Sequence, residues 1–119
     1  MLSQIAVAIL DSLIDIFHEM HVGNSLGLQV KEITRRLHLL RREVSWTTNH
    51  AFIANRLKAN AAFYAKHYMP DGGNRELLAQ NDQRLNNTRV CFIGLRERLL
   101  LEAEFAGKYD PLTSKWIGS

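Results

Sequence analysis

Four polar side chains near the start of the chain are spaced for metal chemistry. Asp15, His18 and His21 recur every three residues, and Asp11 stands four before Asp15. Carboxylates and imidazoles at such spacings share one arc of a helix and can converge on a divalent cation. A helical di-metal site needs more, namely inward-facing carboxylates and Glu-x-x-His motifs from several helices. Asp11, Asp15 and His18 instead face away from the apolar stripe of their own segment, and no other segment offers an inward acidic partner. A metal-binding bundle is therefore a third-ranked reading, and no cofactor is expected. Near a helix C-terminus, His18 and His21 also have a plainer role, since an imidazolium favours the negative end of the dipole.

A longer series is cationic. Lys31, Arg35, His38 and Arg42 fall within about 60° of one another at 100° per residue, flanked by Arg36 and Arg41. Asn49, Arg56, Asn60 and His67 continue the line if the helix runs on unbroken. Charge is distributed to match. Residues 1–27 carry three acids and no Lys or Arg, 28–67 carry eight bases against two acids, and 68–119 are balanced. A row of Arg and Lys on a rigid helix can follow a phosphate backbone, each contact releasing counterions. The bland alternative is a solvated face neutralised by acids from a neighbouring helix. An acidic protein would use the same row.

Nucleophilic chemistry has little support. Cys91 stands among Val90, Phe92 and Ile93, where a cysteine is usually an inert small core residue. The stretch Pro70-Asp71-Gly72-Gly73 lacks the Lys-Ser/Thr of a phosphate loop and reads as a helix connection. No nucleophile elbow or His-Glu-x-x-His pattern occurs, so a non-enzymatic protein is expected.

The elements that must position these residues are helices. The chain has 119 residues with only two prolines and seven glycines, too few breakers for many short strands. Length and ordinary globular composition predict a single domain over 1–119, with 108–119 as an irregular tail. A lone cysteine leaves no disulfide framework and fits a reducing, cytoplasmic setting. No apolar run is long enough to span a bilayer, and Asp11 interrupts the apolar start before it can serve as a secretory leader.

Ser3 is a natural N-cap and Gly23 a natural C′ residue for a first helix, its inward face Ala6, Leu10, Leu13, Phe17 and Met20. From Leu26 to Tyr68 runs a heptad-like seam: Val30, Ile33, Leu37, Leu40, Val44, Ala51, Ala54, Ala61 and Ala65. Its preserved phase favours one continuous helix. The rival reading breaks it at Ser45–His50, because Thr47, Thr48 and Asn49 are weak helix formers and good caps. The expected fold is thus an all-α antiparallel bundle of three long helices, or four if that break is real. Asn74 caps the last helix, expected to end near Phe105 before Gly107, with a seam of Leu78, Leu85, Phe92, Leu95 and Leu99 interrupted by Asn81 and Thr88. Tyr109, Leu112, Trp116 and Ile117 are candidates to pin the tail.

The second half of the ribbon is apolar nearly all round, which places it at the bundle centre or a subunit interface. Self-association is therefore expected through Ala51, Phe52, Ala54, Ala61, Phe63 and Ala65. The anion-binding set is Lys31, Arg35, His38, Arg41, Arg42, Arg56 and Asn60, with nucleic acid the first candidate partner. A protein–protein module without nucleic-acid affinity is the competing class.

Overall fold

The computed structural model describes residues 2–70, 73–104, 109–110 and 115–116. Among them are four helices: α1 (Gln4–Val22), α2 (Leu26–Glu43), α3 (Thr48–His67) and α4 (Arg75–Glu104). Two short strands, β1 (Tyr109–Asp110) and β2 (Lys115–Trp116), pair antiparallel, Tyr109 opposite Trp116. The fold is all-α. Asp71, Gly72, Phe105, Gly107, Leu112 and Ile117, which the sequence assigns to the last connection, helix end and tail, lie outside the described residues.

The ribbon is broken, so the four-helix alternative holds and the continuous helix does not. Val44 is extended at φ −133° and ends α2, its N–H bonding Leu40 O. Thr47 then starts α3 through a reciprocal cap. Thr47 Oγ1 accepts from His50 N at 3.2 Å, and His50 Nδ1 accepts from Thr47 N at 3.1 Å. Two N–H groups that a helix start leaves orphaned are satisfied, and His50 takes the place that Glu or Gln fills in the usual capping box. With Nδ1 an acceptor, the neutral ring carries its proton on Nε2. That nitrogen lies 2.6 Å from Glu102 Oε2 near the end of α4, close but poorly aligned. His50 is buried, so the start of α3 is referenced to the far end of α4.

The first helix forms as its residues dictate. Ser3 Oγ accepts from Ala6 N, and Gly23 closes the C-terminus at φ +83°, its N–H on Met20 O. Gly23 is required on two counts. Its backbone is left-handed, and a Cβ would displace the outer end of the Tyr68 ring seated against it. Tyr64 anchors the same corner, donating to Met20 O at 2.7 Å from a side chain 1% exposed.

The core is one cluster contributed by all four helices. Leu10, Leu13 and Phe17 meet Ile33, Leu37 and Leu40, then Leu57 and Tyr64, then Leu85, Phe92, Leu95 and Leu99. Phe17 and Phe92 pack with ring centroids 5.1 Å apart. The α3–α4 hairpin is the most extensive pairing, and α1 lies mainly on α2. At 30 residues α4 is about 45 Å long, in a molecule whose longest dimension is 58 Å. Its seam begins later than expected: Leu78 is 42% exposed, whereas Asn81 and Thr88 are buried. Asn81 explains why a polar residue belongs there. Its Oδ1 accepts Met69 N at 3.1 Å and its Nδ2 donates to Met69 O, so one side chain satisfies both backbone groups just past α3.

Candidate functional site

The cationic series begins where α2 packs on α1. Lys31, Arg35, His38, Arg41 and Arg42 are all exposed. Glu32 sits one turn before two of the cations and takes both. Arg35 Nε reaches Oε2 at 3.0 Å and Arg36 Nε reaches Oε1 at 2.8 Å. These hydrogen bonds, Arg35 first and Arg36 second, lower the Glu32 carboxyl from 4.5 to about 2. Arg36 also crosses to α1, donating to Ser12 O at 2.7 Å. The open groove between α1 and α2 is lined by Asp15, Glu19 and Glu32 as well as Lys31, Arg35 and Arg36. Here the acids of α1 meet the bases of α2, and the two signs offset one another.

The second half of α2 is different. His38 and Arg41 line a narrow groove against α3, together with Thr34, Trp46, Asn55 and Lys58. Leu37 and Ala51 complete its wall, and none of the lining residues is acidic. Its volume of about 40 Å³ admits a small group and falls far below the ~300 Å³ typical of the smallest ligand pockets. The Arg41 guanidinium lies 5.9 Å from the centre of the Trp46 ring, at the outer limit for a cation–π contact. Trp46 Nε1 is buried without a hydrogen-bond partner. Lys58 is the residue that sequence periodicity missed. It reaches this groove only because α3 turns back at Val44–Thr47, and a continuous helix would carry it elsewhere.

The proposed continuation along α3 does not stay on one line. Arg56 is exposed and leans over Phe52, 5.9 Å from the ring centre. Asn60 turns toward α4, its Nδ2 3.2 Å from Cys91 Sγ. The alanine line divides too. Ala54 and Ala61 lie in the chain's own core, Ala51 lines the α2–α3 groove, and Ala65 is half-buried at the core edge. Phe52 and Phe63, by contrast, are 60% and 50% exposed, so neither occupies the bundle centre. Phe63 has His67 beside it, ring centroids 4.3 Å apart, and the Arg84 guanidinium 5.4 Å from its centre. Arg84 also donates to His67 O at 2.9 Å, satisfying a carbonyl at the end of α3.

Comparison with protein-family models, with curated proteins and with solved structures finds no match.

The chemistry therefore rests on geometry alone. Asp11, Asp15 and His18 are exposed on α1, while His21 leaves them to approach Asp82 of α4 at 3.7 Å. Among the described residues no group of three His, Cys, Asp or Glu side chains is placed to hold a metal ion. Cys91 is half-buried. No described helix is long and apolar enough to cross a membrane.

Proposed function

We propose that the protein is a small non-enzymatic helical accessory protein that binds the phosphate backbone of nucleic acid. The α2–α3 groove carries this reading, because His38, Arg41 and Lys58 converge there without a carboxylate among the lining residues. Arg42 is exposed next to it, and Lys31 and Arg35 are assigned a minor part because acids share their groove. A single phosphate is a tight anion for such a groove, and Arg and Lys contacts to successive phosphates supply affinity that falls with salt.

The test is fluorescence anisotropy of a labelled oligonucleotide across a salt series. Arg41→Glu/Lys58→Glu lowers affinity by about tenfold or more and reduces the log–log salt slope by at least ~1. Lys31→Glu changes it little. Absence of salt-dependent binding by the unaltered protein at low ionic strength would refute the proposal. An acidic protein partner would leave nucleic acid unbound yet remain sensitive to the same double variant.

Self-association is a second reading, favoured by the exposure of Phe52 and Phe63. It requires a mass above 13.6 kDa by light scattering, and a monomer at tens of micromolar rejects it.

A further inference from the structure

Phe52 and Phe63 are separated by eleven residues, a spacing that returns to the same helix side within about 20° and places them roughly 16 Å apart along α3. Each keeps at least half its surface open, and each has a guanidinium over its ring, Arg56 for Phe52 and Arg84 for Phe63. The apolar surface of this face is thus interleaved with cations. Its charge is also one-signed. The whole of α3 contains no Asp or Glu, and α4 contains none between Gln83 and Arg96.

That combination restricts the occupant. A second copy of this chain meeting the face symmetrically would bring Arg56 and Arg84 of both copies into one interface without a carboxylate from α3 to offset them. A duplex presents phosphates but keeps its bases stacked inside, leaving the exposed rings nothing to contact. Single-stranded nucleic acid offers both partners at once: unstacked bases for the rings and phosphates for the guanidinium groups beside them.

We infer that the outward face of α3, bearing Phe52, Arg56, Phe63 and His67 with Arg84 of α4 alongside, is a stacking surface for single-stranded nucleic acid. The inference rests on the nucleic-acid reading above and adds to it a preference for single strands. The α2–α3 groove supplies backbone affinity common to both forms, and the two rings supply the difference between them.

The experiment measures binding of a ~15-nucleotide oligothymidine and of a duplex of equal length, with Phe52→Leu, Phe63→Leu and the double variant. Leucine keeps the surface apolar and the helix intact, which circular dichroism checks, while removing the π-face. Single-strand affinity falls by about fivefold or more for each ring lost, and duplex affinity stays within about twofold. A parallel fall for both forms, or no change in either, overturns the inference and leaves backbone binding standing. Binding of neither oligonucleotide by the unaltered protein overturns both. If light scattering shows a dimer of the unaltered protein that Phe52→Glu/Phe63→Glu converts to a monomer, the face belongs to a second copy and the inference fails.

Discussion

Replacing Asn81 tests how the α3–α4 hairpin is closed. The side chain is 4% exposed and meets Met69 twice, accepting its N–H at 3.1 Å and donating to its carbonyl. Asn81→Leu keeps the volume and leaves both Met69 groups without this partner. A buried orphaned group costs about 1–3 kcal/mol, and Met69 is only half-buried, so water recovers part of the loss. The expected cost is about 2 kcal/mol. Asn81→Asp is worse at neutral pH, because it retains the acceptor but points an anionic oxygen at the Met69 carbonyl. An uncompensated buried charge raises the expected cost to about 3–4 kcal/mol.

The aspartate variant carries a pH signature that the leucine variant lacks. Burial and the opposing carbonyl raise the folded-state pKa of the introduced carboxyl above its ordinary value near ~4. Its protonated form can donate to Met69 O as the amide does. The folded state therefore holds the proton more tightly, and the deficit is smallest below ~4 and grows as pH rises through the folded value. Urea unfolding followed by helical circular dichroism at acid and neutral pH reads both effects. A 2 kcal/mol loss moves the midpoint by about 1 M or more. An Asn81→Asp protein as stable as the parent at neutral pH would refute the bonding scheme. So would a deficit that widens on acidification.

Glu32→Gln removes an acid-sensitive contribution. With the carboxyl at about 2 instead of 4.5, Glu32 stabilises the fold above about 4.5 and loses that contribution as pH falls toward 2. The difference in acid unfolding between parent and variant should vanish at the low end; a constant offset across that window would contradict it. Tyr64→Phe costs only about 1 kcal/mol at neutral pH, because Met20 O keeps its bond from Gly23 N. Burial first, then Tyr68 and Asp82, raises the Tyr64 hydroxyl from 10.0 to about 12, so the unfolded chain ionises earlier and stability declines from pH 10 upward. Phenylalanine lacks that decline, and identical alkaline limbs in the two proteins would show that Tyr64 does not cause it.

Much of the architecture is legible in residue pattern. Ser3, Gly23 and Asn74 mark helix ends by capping chemistry that depends on neighbours only a few residues away. Ile33, Leu37, Leu40, Leu85, Phe92, Leu95 and Leu99 are buried as their periodicity requires. The break at Val44–Thr47 was obscured because hydrophobic phase survives across it, and because its cap uses His50 where Glu or Gln is the recognised signal. The site was less legible for the same reason. A turn decides that Lys58 joins His38 and Arg41, and that Asn60 faces Cys91. Periodicity also marks a helix as apolar on every side without saying which apolar residues the partners leave uncovered. Phe52 and Phe63 are left outside because α2 and α4 cover other arcs of α3.

The contact between His50 and Glu102 gives the fold an order in time. On the ribosome His50 emerges fifty-two residues before Glu102, and Tyr64 emerges well before the Leu95 and Leu99 that share its core. The α1–α2 hairpin, joined by a short turn, has all its own contacts available early. The third helix has its Thr47 cap from the outset and α1 and α2 to pack on, but the side that meets α4, its most extensive pairing, stays bare until the fourth is nearly complete. For that interval the side of α3 that packs on α4 is uncovered in a nascent chain, so the thirty residues of α4 act as the cover that ends its exposure to chaperones and to other nascent chains.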